Sequence, residues 1–400
     1  MKMAITVLDR LGYTFYTDED GQSLFPADRF DVRLVTSLEK LPLAVGESLQ
    51  CVVGVHRLDQ QALLDAARFV SGSGALPSQR LLVLTERLQL PVAELRAELG
   101  LGGLQPDEVR PFRDKVVMKE HLSRQGIRVP EFAPYSHDAA MALLKKYGKV
   151  VVKPRAEAGS MDINIVSGES DLRDVEARLE DRLTDFEVEE FIDGELHHID
   201  SVVEGSRVIT ATAGHSIHST TAYLTQDHFW DIEVAPGPLF DRLRAFNDRV
   251  IACYPGFSGV THHEVYVTAD GEIVFGEIAA RLGGGGIRAG LRARTGIDLV
   301  AAMIAAQVGD PLPRPTRWSE QLSGYTLVYV PGLHMTRAVD LDHPWVLEQQ
   351  VYATPGSAMD PPRAWEQAAA IVTVSGRDEH EVAERLLQVQ DEVRSCFEQH

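Results

Sequence analysis

Residues 261–286 read THHEVYVTADGEIVFGEIAARLGGGG, and this stretch contains the pattern on which the fold assignment rests. Alternating β-forming residues flank Asp270 and Gly271, and an Asp-Gly pair in that setting is a strong signal for a two-residue hairpin turn. Pairing counted outward from that turn places Glu264 directly opposite Glu277. Like charges that face each other destabilise a sheet. The pair therefore needs a physical explanation.

A divalent cation between Glu264 and Glu277 would explain the pair, because carboxylate oxygens suit Mg²⁺ that also carries bound phosphates. Two alternatives remain open at this point: the hairpin face is simply solvated, or the loop has a different length and separates the two carboxylates. We treat Glu264 and Glu277 as candidate metal ligands.

A cationic, glycine-rich segment follows the hairpin. It contains four arginines within fourteen residues that include no acid, although the whole chain has 39 basic and 59 acidic residues. Glycine lets backbone N–H groups approach an anion, and arginine offers a planar fork to carboxylate or phosphate. The alternative is a flexible loop beside a surface helix. The candidates here are Arg281, Gly284 and Gly285 as catalytic residues and Arg288 as a substrate contact.

A second candidate phosphate site lies upstream, in VVVKPRAEAGSMDI at residues 150–163. Lys153 ends a predicted strand ahead of a small-residue loop, so it could hold phosphate oxygens together with the amides of Gly159, Ser160 and Met161. The segment is not a Walker A motif, because G-x-x-x-x-G-K-[ST] is absent. Lys153 could also be an ordinary surface lysine.

The first hundred residues alternate short apolar runs with helical patterns, which favours a parallel sheet covered on both faces. Ligands of such sheets lie beyond the carboxyl ends of the strands, so His56 and Arg57 at one strand end are candidate substrate contacts. No G-x-G-x-x-G follows the first strand, which argues against a dinucleotide site. The predicted strands are Ile5–Leu8, Val32–Val35, Cys51–Val55 and Leu81–Leu84, with a helix over Gln60–Val70.

The predicted fold class is α/β, with α+β character in the central part. We expect an N-terminal parallel-sheet domain at 1–106, a central domain at 107–312 with a small lid at about 126–190, and a C-terminal α+β subdomain at 313–400. Residues 214–240 have few apolar runs and are predicted to be a long loop.

Composition excludes several classes of partner. The net charge of −20 argues against nucleic acid and anionic membranes. No run approaches the roughly 18 apolar residues that a membrane helix needs, and Asp9 and Arg10 interrupt the short N-terminal run, so no signal peptide is expected. Three cysteines without a metal or disulfide spacing fit a reducing cytoplasm.

Taken in order, these motifs resemble the ATP-grasp superfamily over roughly residues 111–310. RDKVVMKEHLSRQGIRVP (113–130) resembles its opening helix, VVVKPRAEAGSMDI its second lysine and glycine loop, and VEEFIDGELHHID (188–200) its adenine-binding hinge. The resemblance implies ATP and Mg²⁺, with Mn²⁺ as a substitute. It implies these roles: nucleotide lysines Lys115 and Lys153; triphosphate loop Gly159, Ser160 and Met161; adenine site Glu189, Glu190, Phe191 and Ile192; Mg²⁺ ligands Glu264 and Glu277; and Arg281 near the transferred phosphoryl group.

Three positions depart from the family pattern. Ala279 stands where Asn often follows the second metal ligand, and Asp162 stands where many members have Gly. The ribose-binding acid often falls at Leu196, so Glu195 is the substitute candidate, although neighbours on a strand point to opposite faces. We expect His198 or His262 near the nucleotide or substrate.

The subfamily pattern E-I-A-x-R-x-G-G-G resembles carboxylate–amine ligases of the L-amino acid ligase kind. This implies an ADP-forming enzyme that converts a carboxylate to an acyl phosphate and couples it to an amine, with amino-acid-like substrates and a homodimeric state. Two alternatives stay open: a carboxylating or purine-pathway type of enzyme, and an ATP-binding regulatory protein without catalysis.

Overall fold

The computed structural model describes residues 2–44, 48–56, 60–72, 77–157, 159, 161–217, 228–362 and 367–398. Within these ranges, no helix combines the length and the apolar character that crossing a bilayer requires. All three cysteines are free thiols, and only Cys51 is exposed.

The N-terminal part contains a four-stranded sheet in which every neighbouring pair is parallel, as the sequence predicts. Its order is β3-β2-β1-β4, and its central strands are apolar because helices cover the sheet. A short helix with a capping box, α3, follows the last strand and helix of this part. The elements are β1 (Met3–Leu8), β2 (Phe30–Ser37), β3 (Leu49–Val55), α1 (Gln60–Gly72), β4 (Arg80–Val83), α2 (Glu86–Leu99) and α3 (Pro106–Val109).

The segment predicted to be the lid contains a small antiparallel sheet of order β5-β8-β6-β7, with two helices packed on one core. A helix, Lys115–Ser123, leads into this sheet. Asp114 caps the start of that helix by accepting hydrogen bonds from the amides of Val116 and Val117. The elements are α4 (Lys115–Ser123), β5 (Phe132–Pro134), α5 (His137–Tyr147), β6 (Val150–Pro154), β7 (Asn164–Val166), α6 (Glu169–Leu179) and β8 (Phe186–Glu190).

Eight of the remaining strands form an antiparallel sheet of order β13-β12-β9-β10-β11-β14-β17-β16, and β15 pairs separately with β18. The eight-stranded sheet continues across the boundary predicted at residue 313, so that division remains a prediction. The elements are β9 (Gly194–Glu204), β10 (Arg207–Ser216), β11 (His228–Glu233), α7 (Pro238–Ala252), β12 (Gly259–Thr268), β13 (Ile273–Ala279), α8 (Ile287–Thr295), α9 (Leu299–Val308), β14 (Leu322–Val328), β15 (His334–Met335), β16 (Val346–Val351), β17 (Ala370–Gly376), α10 (Glu379–Arg394) and β18 (Phe397–Glu398).

Two expectations for the segment after residue 213 were wrong. The predicted loop at 214–240 contains the end of β10 and all of β11, while residues 218–227 lie outside the described ranges. The sequence pattern did not predict strand β11, because the buried carboxylates of Asp231 and Glu233 interrupt its apolar residues. Helix α8 was also missed, since glycines and arginines surround the apolar residues that it buries.

Candidate active site

A cavity of about 1170 Å³, including solvent at its mouth, lies where the three parts of the chain meet. Glu86 comes from the N-terminal part, Lys153 and Met161 from the lid, and most other lining residues from the large sheet. The cavity contains these candidates from the sequence: Lys115, Lys153, Gly159, Met161, His198, His262, Glu264, Glu277, Arg281 and Gly284.

The two candidate metal ligands are opposed, as predicted, although the turn is not the predicted one. Glu264 pairs with Glu277 across strands β12 and β13. The loop has three residues, because the Gly271 amide donates to the Thr268 carbonyl (2.8 Å) and the Thr268 amide donates to the Glu272 carbonyl (3.0 Å). The left-handed Gly271 (φ +85°) is typical of such three-residue loops.

A β-bulge at Gly276 restores the pairing that the longer loop would otherwise shift. Val265 pairs with Phe275, yet the next pair is Glu264 with Glu277, so Gly276 is the additional residue. A Cβ at Gly276 would lie 3.0 Å from the carbonyl oxygen of Glu264. The bulge keeps Phe275 in the core and turns Glu277 toward the cavity.

Both carboxylates are accessible from the cavity, with 34% of the Glu264 side chain and 23% of the Glu277 side chain exposed. Lys115 Nζ lies 2.9 Å from Glu277 Oε1 and donates to the Glu157 carbonyl at 2.8 Å. Burial opposes the charge of Glu264, but the hydrogen bond and charge of His262 lower its pKa to about 2. The oxygen donors of two carboxylates at the cavity wall fit Mg²⁺, whereas Ala279 adds only a methyl group.

Lys153, the second lysine predicted to bind the nucleotide, belongs to a buried network that the sequence did not reveal. Lys153 Nζ lies 2.6 Å from Glu189 Oε1, and Lys119 Nζ lies 2.7 Å from Glu187 Oε1 and also pairs with Glu189. Burial opposes these charges, yet the two lysines lower the pKa of Glu189 to about 2, while burial raises that of Glu187. Glu187 and Glu189 are two residues apart on a strand, and this spacing places both carboxylates on one face. It is the signal that could have predicted an acidic pair in need of cationic partners.

None of the four predicted adenine-site residues is among the described residues that line the cavity. Glu189 points into the lysine network, Glu190 pairs with Arg128 at 2.9 Å, and Phe191 lies under Lys149, whose Nζ is 4.3 Å from the ring centroid. Ile192 is half-buried and, like these side chains, is not among the described residues that line the cavity. Glu195 is exposed on the face opposite Leu196. Leu196 does line the cavity, across from Tyr266, so the structure brings no acid to this position of β9.

Arg281 is the one arginine of its segment that the described structure places on the cavity wall. Its Nε lies 2.7 Å from Glu86 Oε2, and Arg113 binds the other oxygen of Glu86. Burial opposes the charge of Arg281, but Glu86 raises its pKa, so the guanidinium stays charged.

The other three arginines of the segment are engaged elsewhere. Arg288 lies 2.8 Å from Asp298 and donates to the carbonyls of Phe15 and Thr17. Arg294 lies 3.2 Å from Glu233 and also donates to the Ser319 and Gln321 carbonyls, and Arg292 has only longer contacts with acidic residues. The expected cationic pocket therefore reduces to Arg281, because acids outside the segment engage the other arginines: Asp298 just after it and Glu233 far away in the sequence.

Histidines from two adjacent strands join one buried chain of polar groups. His198 Nδ1 and Nε2 lie 2.6 Å from Asp200 and 2.9 Å from Asp231, and His262 Nδ1 lies 3.0 Å from Asp200. Burial opposes charging of both rings, but the carboxylates raise the pKa of His198 and of His262. His198 and His262 lie on neighbouring strands of the sheet, so the sequence order of the two residues does not show that they meet.

The N-terminal candidates are not assembled at the cavity. His56 is exposed at the end of β3 and is not among the cavity residues, while Arg57 and Ser160 lie outside the described residues. Asp9, at another strand end, is fully buried and accepts hydrogen bonds from the Leu11 and Gly12 amides. Glu86, which follows β4, lines the cavity and forms an ion pair with Arg281.

Known proteins resemble this chain in part of its sequence and in its fold. No family model matches the sequence. The L-arginine-specific L-amino acid ligase of Bacillus subtilis is 23% identical over 231 residues, which is 56% of this chain and 56% of that protein. The chain thus spans little more than half the length of this curated relative.

The solved structures cover nearly the whole chain. The L-amino acid ligase from Bacillus licheniformis has a TM-score of 0.76 at 18% identity, with 98% of each chain covered. The chain has the ATP-grasp fold. The biotin carboxylase domain of the Hydrogenobacter thermophilus 2-oxoglutarate carboxylase, solved as a dimer with MgADP and bicarbonate, has a TM-score of 0.71 at 15% identity and covers 98% of this chain and 90% of its own. At these identities, the structural similarity establishes the fold and not the reaction.

Proposed function

We propose that the protein is an ATP-dependent ligase that converts a carboxylate to an acyl phosphate, couples it to an amine and releases ADP and phosphate. The observation that carries this proposal is the opposed Glu264–Glu277 pair in one cavity with Lys115, Lys153 and Arg281. The alignment with an L-amino acid ligase over 56% of the chain supports amino-acid-like substrates.

The lysines and the glycine loop would bind the ATP phosphates. Lys153 keeps its charge although it is buried, because Glu189 and Glu187 raise its pKa. Glu264 and Glu277 would hold Mg²⁺, whose chemistry is to neutralise charge on the phosphates. Gly159 and Met161 line the cavity on the lid side, where closure would exclude water that hydrolyses an acyl phosphate.

Arg281 and the glycine run would hold the phosphoryl group as it moves to the acid. Gly284 lines the cavity, and Gly285 has a left-handed φ of +61°. Successive amides in such a turn bind anions well. Glu86 orients the Arg281 guanidinium and would keep its fork aimed at the cavity.

The test is a phosphate-release screen with ATP, Mg²⁺ and pairs of amino acids, followed by mass spectrometry of the condensation products. We expect release that requires both an acid and an amine. Glu277→Gln should remove it, and the matched control Glu272→Gln, on the same hairpin but exposed, should not. Absence of turnover over a broad acid and amine panel, with ATP still bound, would instead support an ATP-binding regulatory protein.

A carboxylating reaction is the second candidate, because the carboxylase domain with bound MgADP and bicarbonate shares the fold at a TM-score of 0.71. ADP release that depends on bicarbonate, without any amino acid pair, would favour it over the ligase.

We further propose a cytoplasmic homodimer with domains at 1–106, 107–312 and 313–400. Three free thiols fit a reducing compartment. The dimeric carboxylase domain supports the assembly. Light scattering on the purified protein tests the dimer, and limited proteolysis tests the divisions.

A further inference from the structure

Tyr325 on β14 has a hydroxyl group that the protein leaves without a hydrogen-bond partner in the described part of the chain. The residue is only 6% exposed, and its side chain lines both the active-site cavity and a smaller adjoining cavity of about 310 Å³. The hydroxyl is not among the fully buried unpaired side-chain atoms of the described chain, so it is open to the cavity although the ring is buried. A ligand in the cavity would be within its reach as a hydrogen-bond acceptor.

The tyrosine ring is held against the glycine run. A Cβ at Gly285 would lie 2.2 Å from Cε2 and 2.6 Å from Cζ of Tyr325, and a Cβ at Gly286 would lie 2.5 Å from the Tyr325 Cβ. Phe229, whose ring centroid is 6.2 Å from that of Tyr325, packs nearby. The hydroxyl end of the ring therefore lies beside the backbone that is proposed to bind the transferred phosphoryl group.

The polar neighbours of Tyr325 are already paired. Asp231, directly opposite on β11, accepts hydrogen bonds from His198 and from the Ser216 hydroxyl at 3.1 Å. Glu233 binds Arg294 and the Ser323 amide and hydroxyl. Burial, together with Asp231 and Asp200, holds the pKa of Tyr325 well above its usual range, so the phenol is a neutral donor.

We infer that the Tyr325 hydroxyl donates a hydrogen bond to the carboxylate of the acid substrate and to the acyl phosphate formed from it. The inference rests on the proposed function, since it needs an acid activated beside Arg281 and Gly284. A phenol is suited to this contact, because it can donate to a carboxylate oxygen without adding charge.

The test is Tyr325→Phe, which keeps the ring against Gly285 and Gly286 and removes only the hydroxyl. A hydrogen bond to a charged group corresponds to a loss of about 10- to 100-fold in kcat/KM for the acid. KM for ATP should stay within twofold of wild type. The matched control is Tyr254→Phe, a buried tyrosine in a separate core whose hydroxyl faces the Pro111 carbonyl; it should leave kcat/KM unchanged.

Each outcome has a distinct meaning. Selective loss of kcat/KM for the acid in Tyr325→Phe, with the melting temperature of wild type, supports the contact. If that variant retains wild-type kcat/KM, or loses affinity for ATP and acid equally, the Tyr325 inference is overturned and the ligase proposal survives. If the unmodified enzyme shows no acid-dependent ADP release, the proposed function and this inference fall together.

Discussion

Replacing Lys119 with methionine should destabilise the protein strongly, although this residue does not line the cavity. Its side chain is 1% exposed, and its ammonium group pairs with both Glu187 and Glu189. Removing one member of a buried ion-pair network leaves a buried charge uncompensated, which costs about 3–5 kcal/mol. Glu187, fully buried and with Oε2 unpaired, would carry most of that cost.

The loss should depend on pH in a defined direction. Burial already raises the pKa of Glu187 in the folded state, and loss of Lys119 would raise it further. The folded variant then binds a proton that the unfolded chain releases, so its stability should rise as pH falls from 7 toward the ordinary carboxyl pKa of about 4.3. The rise should be larger than in wild type.

Urea unfolding at pH 5 and pH 7, followed by circular dichroism, measures both effects. Glu187→Gln in the Lys119→Met background is the matched control, because it removes the uncompensated charge and should recover much of the loss. KM for ATP should increase in the single variant, since Lys153 would be drawn from Glu189 (2.6 Å) toward Glu187 (3.9 Å). A single variant within about 1 kcal/mol of wild type would show that the network does not stabilise the lid as argued.

Further predictions concern the site and its supports. Glu277→Ala should lower kcat by at least about 100-fold with little change in melting temperature, because the carboxylate is partly exposed and opposes Glu264; wild-type activity would contradict the metal assignment. Lys153→Ala should also remove turnover but, unlike Glu277→Ala, should lower stability measured by urea unfolding, because Glu189 loses a buried partner. Gly285→Ala should disrupt the glycine run, where a Cβ would collide with Tyr325, whereas Gly72→Ala, with open space, should be neutral; equal melting temperatures and activities would refute the packing argument. Burial raises the pKa of Glu233 to about 7, so its contribution to stability should fall as pH rises from about 4.5 to 7, and Glu233→Gln should flatten that slope in urea titrations.

The sequence predicted best those parts of the site that depend on local order. The parallel N-terminal strands and the opposition of Glu264 and Glu277 follow from alternation and turn chemistry, and both are present. The opposition was nevertheless reached through a turn one residue too short. The loop is one residue longer than predicted, and the bulge at Gly276 shifts the pairing back by one residue, so the two errors in register cancel. No local sequence pattern indicates the bulge.

What could not be predicted depends on contacts between distant segments. The acids that engage Arg281 and Arg294 come from residues 86 and 233, and the partners of Lys119 lie 68 and 70 positions away. The charges within the segment do not show that acids outside it pair with its arginines. The four arginines between residues 281 and 294 therefore suggested a cationic pocket, although only Arg281 of these four lines the cavity. The buried carboxylates of β11 hid that strand for the same reason.

The extra residue at Gly276 also separates two parts of the hairpin that evolution can change independently. On the tip side of the bulge, the pairs from Val265–Phe275 to the loop keep one register. On its other side, Glu264 and Glu277 keep a register that is shifted by one residue. Loss or gain of the bulge can therefore compensate for a residue deleted from or inserted into the loop. Both carboxylates then remain directed at the cavity. Relatives with loops of different length at this tip should then differ in whether a glycine precedes the second glutamate.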